Sequence, residues 1–164
     1  MVTSLRLATQ VERMVSRSTQ PLLLIEDSDE DFEAFGRIMQ KLSVTNPIHR
    51  CIDGDDALDY LHHGGEYADS DKVRRPAIII LDLNLPGTDG REVLEQIKQD
   101  EELKIIPIVV FTTSSNPKDV EICYRYGVNG YIIKPMDVKK LMHTIQILIQ
   151  YWFEVVILPD SRRY

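Results

Sequence analysis

Four stretches of the chain carry side chains suited to phosphoryl chemistry, and each follows directly on an apolar run. Glu26 and Asp27 follow PLLLI, Asp82 follows AIIIL, Thr112 follows IIPIVVF and Lys134 follows YII. A wholly aliphatic run of this kind reads as a strand buried on both faces of a parallel sheet. In open α/β sheets, ligands bind beyond the carboxyl ends of such strands. If the strands are neighbours, an acid pair, a further acid, a hydroxyl and an ammonium converge on one edge. Carboxylates gathered there repel one another unless a cation offsets them, and an all-oxygen donor set suits magnesium or calcium better than zinc. A carboxylate nucleophile, a divalent metal, a hydroxyl donor and an ammonium are the parts that phosphorylation of an aspartate requires. Taken alone, Asp82 is equally well explained as a turn cap, and it is the company it keeps that argues for chemistry.

The elements that position these residues follow from the pattern around them. Strands are predicted over 21–26, 47–52, 77–81, 105–111 and 131–133. Phe32, Phe35, Ile38, Met39 and Leu42 have helical spacing, and further helices are predicted over 53–61, 90–100, 119–126 and 137–153. Strand and helix alternate five times, which predicts an α/β fold of three layers, a parallel sheet between helices. Ser28 or Asp29 caps the first helix, and Asp29, Glu30 and Asp31 suit the positive end of its dipole, so these acids need no functional explanation. Ser115 or Asn116 serves likewise ahead of Pro117. His62 and His63 are adjacent, point to different helix faces and lack a third partner, which speaks against a zinc site. Residues 64–75 are polar and glycine-bearing, as in a surface loop.

Composition sets the outer limits. The 164 residues, 43% hydrophobic, suit one domain over 21–153. It is flanked by a poorly ordered extension over 1–20 that reads as a short, frayed amphipathic helix using Leu5, Val11 and Val15, and by a tail over 154–164. The Arg-, Ser- and Thr-rich extension has the composition of an organelle transit peptide, but nothing else in the chain suggests import. A net charge of −7 argues against direct binding of nucleic acid. Cys51 and Cys123 lie in apolar elements without ligand spacing and read as free buried thiols. With no apolar run long enough to span a bilayer, a soluble cytoplasmic protein without membrane attachment is expected.

The combination of Glu26-Asp27, Asp82 with Leu-Pro and Asp-Gly behind it, Thr112, and Tyr131 with Lys134-Pro135 resembles the receiver domain of bacterial two-component response regulators over about residues 21–150. The resemblance implies a flavodoxin-like (βα)5 sheet of strand order 2-1-3-4-5. It implies Asp82 as phosphoacceptor, with magnesium (manganese or calcium able to substitute) held by Asp27, Asp82 and the backbone carbonyl of Asn84, and by Glu26 through water. Thr112 and Lys134 then bind the phosphoryl group, and Thr112 and Tyr131 form the switch, with Tyr131 its aromatic member. A cis Lys134-Pro135 bond is implied too, and would aim the lysine back over the site. Glu26 departs from the aspartate of many members. The segments IIILDLNLPGTDGREVL and FTTS, the long loop before the central strand and the aromatic end of the last helix are similar to small stand-alone regulators paired with phytochrome-type histidine kinases. This implies such a kinase as partner, no output domain, an unidentified downstream protein, and a signalling protein rather than an enzyme.

Two other classes compete. A magnesium-dependent phosphatase of the haloacid dehalogenase type carries a second acid two positions after its nucleophile, where this chain has Asn84, so its general acid is missing. A flavodoxin-like FMN carrier needs a phosphate-cradling loop after its first strand, where this chain has Glu-Asp-Ser-Asp-Glu-Asp. Finally, Val138, Leu141, Met142, Ile145, Leu148, Ile149 and Trp152 make one apolar stripe on the last helix, and Ile147, Tyr151 and Val155 a second. The second row, with the last strand and the tail, predicts a symmetric homodimer unless Val155 to Leu158 fold back over it.

Overall fold

The computed structural model describes residues 20–68 and 73–159. Strands β1 (Leu22–Ile25), β2 (Ile48–Cys51), β3 (Ile78–Leu81), β4 (Ile108–Thr112) and β5 (Gly130–Ile133) form one parallel sheet in the order β2-β1-β3-β4-β5. Helices α1 (Asp29–Lys41), α2 (Gly54–His62), α3 (Gly90–Gln99), α4 (Pro117–Arg125) and α5 (Val138–Gln150) alternate with the strands. The fold is therefore the flavodoxin-like one expected. The expected helix with Leu5, Val11 and Val15 lies outside the described residues, as does the end of the tail. No described helix is long and apolar enough to cross a membrane.

Alternation along the strands builds two cores. Leu22, Leu24, Ile78, Ile80, Val109 and Phe111 face α1 and α5, where Phe35 meets Phe111 edge-to-face with ring centroids 5.5 Å apart. Leu23, Ile25, Ile79, Leu81, Ile108 and Val110 face α2 and α3. Cys51 and Cys123 are buried in this second core as free thiols, and burial pushes the Cys123 thiol up to about 11.

Register carries the candidate residues to one edge. Ile25 pairs with both Cys51 and Leu81, and Leu81 pairs with Val110, so the strands end nearly level. The ladder runs one residue further: Glu26 donates its N–H to the Cys51 carbonyl at 2.9 Å, Asp82 to Ile25 at 3.0 Å and Lys134 to Thr112 at 2.7 Å. Each helix that follows is capped by a side-chain oxygen, from Ser28, Asp53, Asp89, Asn116 and Asp137.

The start of β4, one residue of the apolar stripe and the end of the last helix differ from expectation. β4 starts at Ile108 rather than Ile105, because residues 101–106 form a turn whose Leu103 and Ile106 are buried. Asp100 accepts from the N–H groups of Glu102 and Leu103, and Lys98 closes the turn on the carbonyls of Lys104 and Ile106. Val138 does not join the buried stripe of α5; it is the first residue of the helix and 70% exposed. Beyond α5 a π-turn (Tyr151–Val155) buries Trp152 and leaves Tyr151 and Val155 outside. The tail folds back only in part: Val156 and Leu158 pack on the α1–α5 core, whereas Ile157 stays exposed.

Candidate functional site

The site is assembled around Lys134. Its ammonium donates to Glu26 Oε2 at 2.6 Å and to Asp82 Oδ2 at 2.8 Å, and pairs with Asp31 Oδ2 at 2.8 Å. Its side chain is only 8% exposed. Burial pulls the lysine pKa down, but the hydrogen bonds to Asp31, Asp82 and Glu26 together outweigh it and raise the value above that of an ordinary lysine, so the group stays charged. Glu26 is almost fully buried, and burial pushes its carboxyl up to about 7 against the opposing pull of Lys134.

The expected acid cluster is brought together. Carboxylate oxygens of Glu26, Asp27 and Asp82 lie within 4.8 Å of one another, with Asp27 exposed and the other two buried. These donors fit a hard divalent cation: all are oxygens, they carry more negative charge than one ammonium offsets, and Asp27 remains open to solvent. Asp82 Oδ1 accepts from the Asn84 N–H at 3.1 Å, and the Asn84 side chain donates to Thr113 Oγ1 at 3.2 Å.

The loop holding Asn84 is wedged in place. Leu83 is fully buried. A β-carbon at Gly90 would stand 2.3 Å from the Asp82 carbonyl oxygen, and one at Gly54 would stand 2.1 Å from the Thr88 carbonyl oxygen, so α3 and α2 approach the loop where only glycine fits. Thr88 also donates to Asp55 Oδ1 at 2.5 Å. Thr112 is fully buried, and its Oγ1 accepts from the Ser114 N–H at 3.4 Å. Tyr131 packs against the α2–α3 core and donates its hydroxyl to the Ser114 carbonyl at 3.0 Å.

One expectation is overturned. No peptide bond among the described residues is cis, so Lys134-Pro135 is trans. Trans is the lower-energy isomer of such bonds, and from a trans bond Lys134 already reaches three carboxylates.

Two residues of the site were not anticipated. Asp31 does more than serve a helix dipole, because it turns its carboxylate to Lys134. Arg50, on the edge strand β2, donates Nε to the Glu26 carbonyl at 2.9 Å and Nη2 to the Asp27 carbonyl at 2.8 Å, and pairs with Asp29 at 2.6 Å. For Arg50 the only available signal was its place near the end of a strand next to the acid-bearing one.

Comparison with known proteins identifies the family. Residues 22–146 match the family model described as response regulator receiver domain. The chain is 40% identical over 146 residues to the response regulator Rcp1 of Synechocystis sp., covering 89% of this chain and 97% of that protein. Among solved structures, the Mn(2+)-bound form of response regulator Rcp1 is similar with a TM-score of 0.81 at 41% identity, over 85% of this chain and 99% of that one. The phosphorylated cyanobacterial phytochrome response regulator RcpA gives 0.80 at 37%, over 86% and 99%. With sequence and backbone alike over most of the chain, the protein belongs to the response regulator receiver domain family.

Proposed function

We propose that Asp82 is the phosphoacceptor of this response regulator and that magnesium is required for its phosphorylation. A carboxylate oxygen of Asp82 attacks the phosphorus of a phosphohistidine, the P–N bond breaks, and its electron pair stays on the imidazole, which takes up a proton. The product is an aspartyl phosphate. The observation that carries this reading is the Lys134 ammonium 2.8 Å from Asp82, beside an oxygen-only acid cluster. Lys134 exchanges the Asp82 oxygen for a phosphoryl oxygen while Glu26 and Asp31 keep hold of it, and Thr112 donates its hydroxyl to a second phosphoryl oxygen. Asp27, Asp82 and the Asn84 carbonyl, with Glu26 through water, are the groups to hold the metal. Bound there, magnesium offsets the charge of carboxylate and phosphate; manganese or calcium can take its place.

The phosphodonor is proposed to be a histidine kinase of the phytochrome type, since relatives described as cyanobacterial phytochrome and bacteriophytochrome response regulators share the fold. On this reading the protein acts in the cytoplasm, catalyses only its own phosphorylation and dephosphorylation, and signals through protein contacts. Tyr131 reports the state of the site to the surface. The contacts include a second copy of the chain, for which Ile147, Tyr151, Val155 and Ile157 remain exposed along α5 and the tail.

Intact mass after incubation with magnesium and phosphoramidate is the test. One added phosphoryl group is expected, abolished by chelator and by Asp82→Asn. Full labelling of Asp82→Asn would assign the acceptor elsewhere.

A further inference from the structure

Arg91, near the start of α3, grips Asp119 of α4 with two hydrogen bonds, Nε to Oδ1 at 2.8 Å and Nη2 to Oδ2 at 2.5 Å. Its Nη1 is held by Asp89 at 2.9 and 3.1 Å. A fork of this kind fixes orientation as well as charge. The same Oδ2 of Asp119 accepts from Ser114 Oγ at 2.5 Å. Asp119 is nearly buried, and neither it nor Arg91 belongs to the acid cluster or to the partners of Lys134.

What makes the pair more than a brace between helices is the position of Ser114. Its N–H goes to Thr112 Oγ1, its carbonyl accepts from Tyr131, and its hydroxyl goes to Asp119. Both residues read as the switch therefore end on one residue, and that residue is tied through Asp119 to α3. If the Thr112 hydroxyl turns toward a phosphoryl group on Asp82, Ser114 moves with it, away from an Asp119 that Arg91 keeps in place. A contact made in one state and given up in the other biases the equilibrium between them.

We propose that Arg91 and Asp119 are positioning residues that latch Ser114, and through it Thr112 and Tyr131, in the unphosphorylated arrangement, and so set how readily a phosphoryl group switches the protein. This rests on Asp82 being the phosphoacceptor. The hydrogen bonds from Arg91 and then Ser114 hold the Asp119 carboxyl down to about 2, so the latch keeps its charge across the physiological range.

The test uses the full chain with magnesium and beryllofluoride, a mimic of the phosphoryl group, comparing Ser114→Ala and Asp119→Asn with Ser114→Thr, which keeps the hydroxyl. Without the latch, beryllofluoride should bind at least about fivefold more tightly, the low end of typical coupling between sites, while Ser114→Thr stays near the unaltered chain. A pair that only braced the helices would give unchanged or weaker binding in both variants, and that result overturns the proposal. Amide hydrogen exchange without beryllofluoride keeps the two readings apart. Residues 113–119 should exchange faster in Ser114→Ala even if the unaltered chain binds no beryllofluoride, which would count against Asp82 as acceptor. Unchanged exchange there removes the latch.

Discussion

Lys134 and Glu26 form an ion pair 2.6 Å long with side chains 8% and 1% exposed, so the ammonium is the main local offset to a buried carboxylate and serves Asp82 as well. Removing one member of a buried pair leaves a charge without a counterpart, which costs about 3 kcal/mol or more. Lys134→Met should therefore lower the stability of the metal-free protein by about 3 kcal/mol in urea unfolding, and magnesium should restore part of the loss. A variant as stable as the unaltered chain without magnesium would show that these acids do not need the lysine.

Asp119 gives the protein a stability slope in acid. Its carboxyl falls from an ordinary 3.8 to about 2 in the folded chain, chiefly through the Arg91 hydrogen bonds. As pH falls the unfolded state takes up this proton first, so the contribution is complete above about pH 4 and is lost toward pH 2. With Arg91 27% exposed and screened by solvent, it amounts to roughly 1–2 kcal/mol. Unfolding midpoints of the unaltered chain and Asp119→Asn should differ at pH 5 and converge near pH 2. A constant gap between them would refute the assignment.

Gly90 offers a test of the loop. A methyl group there meets the Asp82 carbonyl oxygen and the Leu83 backbone, neither of which can turn aside as a side chain can. Gly90→Ala should cost about 1–3 kcal/mol of stability. It should also slow phosphorylation at temperatures where the variant remains folded, since the Asp82–Asn84 segment has to move. Normal phosphorylation kinetics would mean that the segment tolerates displacement.

Self-association is expected to run through Tyr151, which is 53% exposed between Ile147 and Val155. Sedimentation at high micromolar concentration should show a dimer that Tyr151→Asp dissociates, with the balance shifted by phosphorylation. A monomer in every state would leave the apolar row without a second copy as its cover.

The parts legible in the sequence were those with a local signature. Aliphatic runs predicted the sheet, and the acids, Thr112 and Lys134 were legible because each sits at a strand end or within two residues beyond it. Asp31 was missed because a first-turn acid has a sufficient local explanation, while its partner is more than a hundred residues away. Arg91 and Asp119 were invisible for the same reason: each lies in the first turn of a helix, and only the packing of α3 beside α4 brings them together. The start of β4 was misjudged because Ile105 and Ile106 are as apolar as the strand behind Pro107, although they belong to a turn that Ile106 plugs with Leu103.

The ties of Arg50 also bear on the order in which the chain folds. Its hydrogen bonds to Glu26, Asp27 and Asp29 span 21 to 24 residues, whereas those of Lys134 to Asp82 and Glu26 span 52 and 108. Closing a long loop costs more entropy than closing a short one. The first β–α–β unit can therefore set its acids in place while the counter-charge is still in an unfolded segment. Folding is expected to pass through a stage in which the acids of β1 are in place without their lysine, and divalent cations should accelerate that stage. Refolding followed by pulsed hydrogen exchange, with and without magnesium, should show β1 and β2 protected before β5, and rates insensitive to magnesium would rule such a stage out.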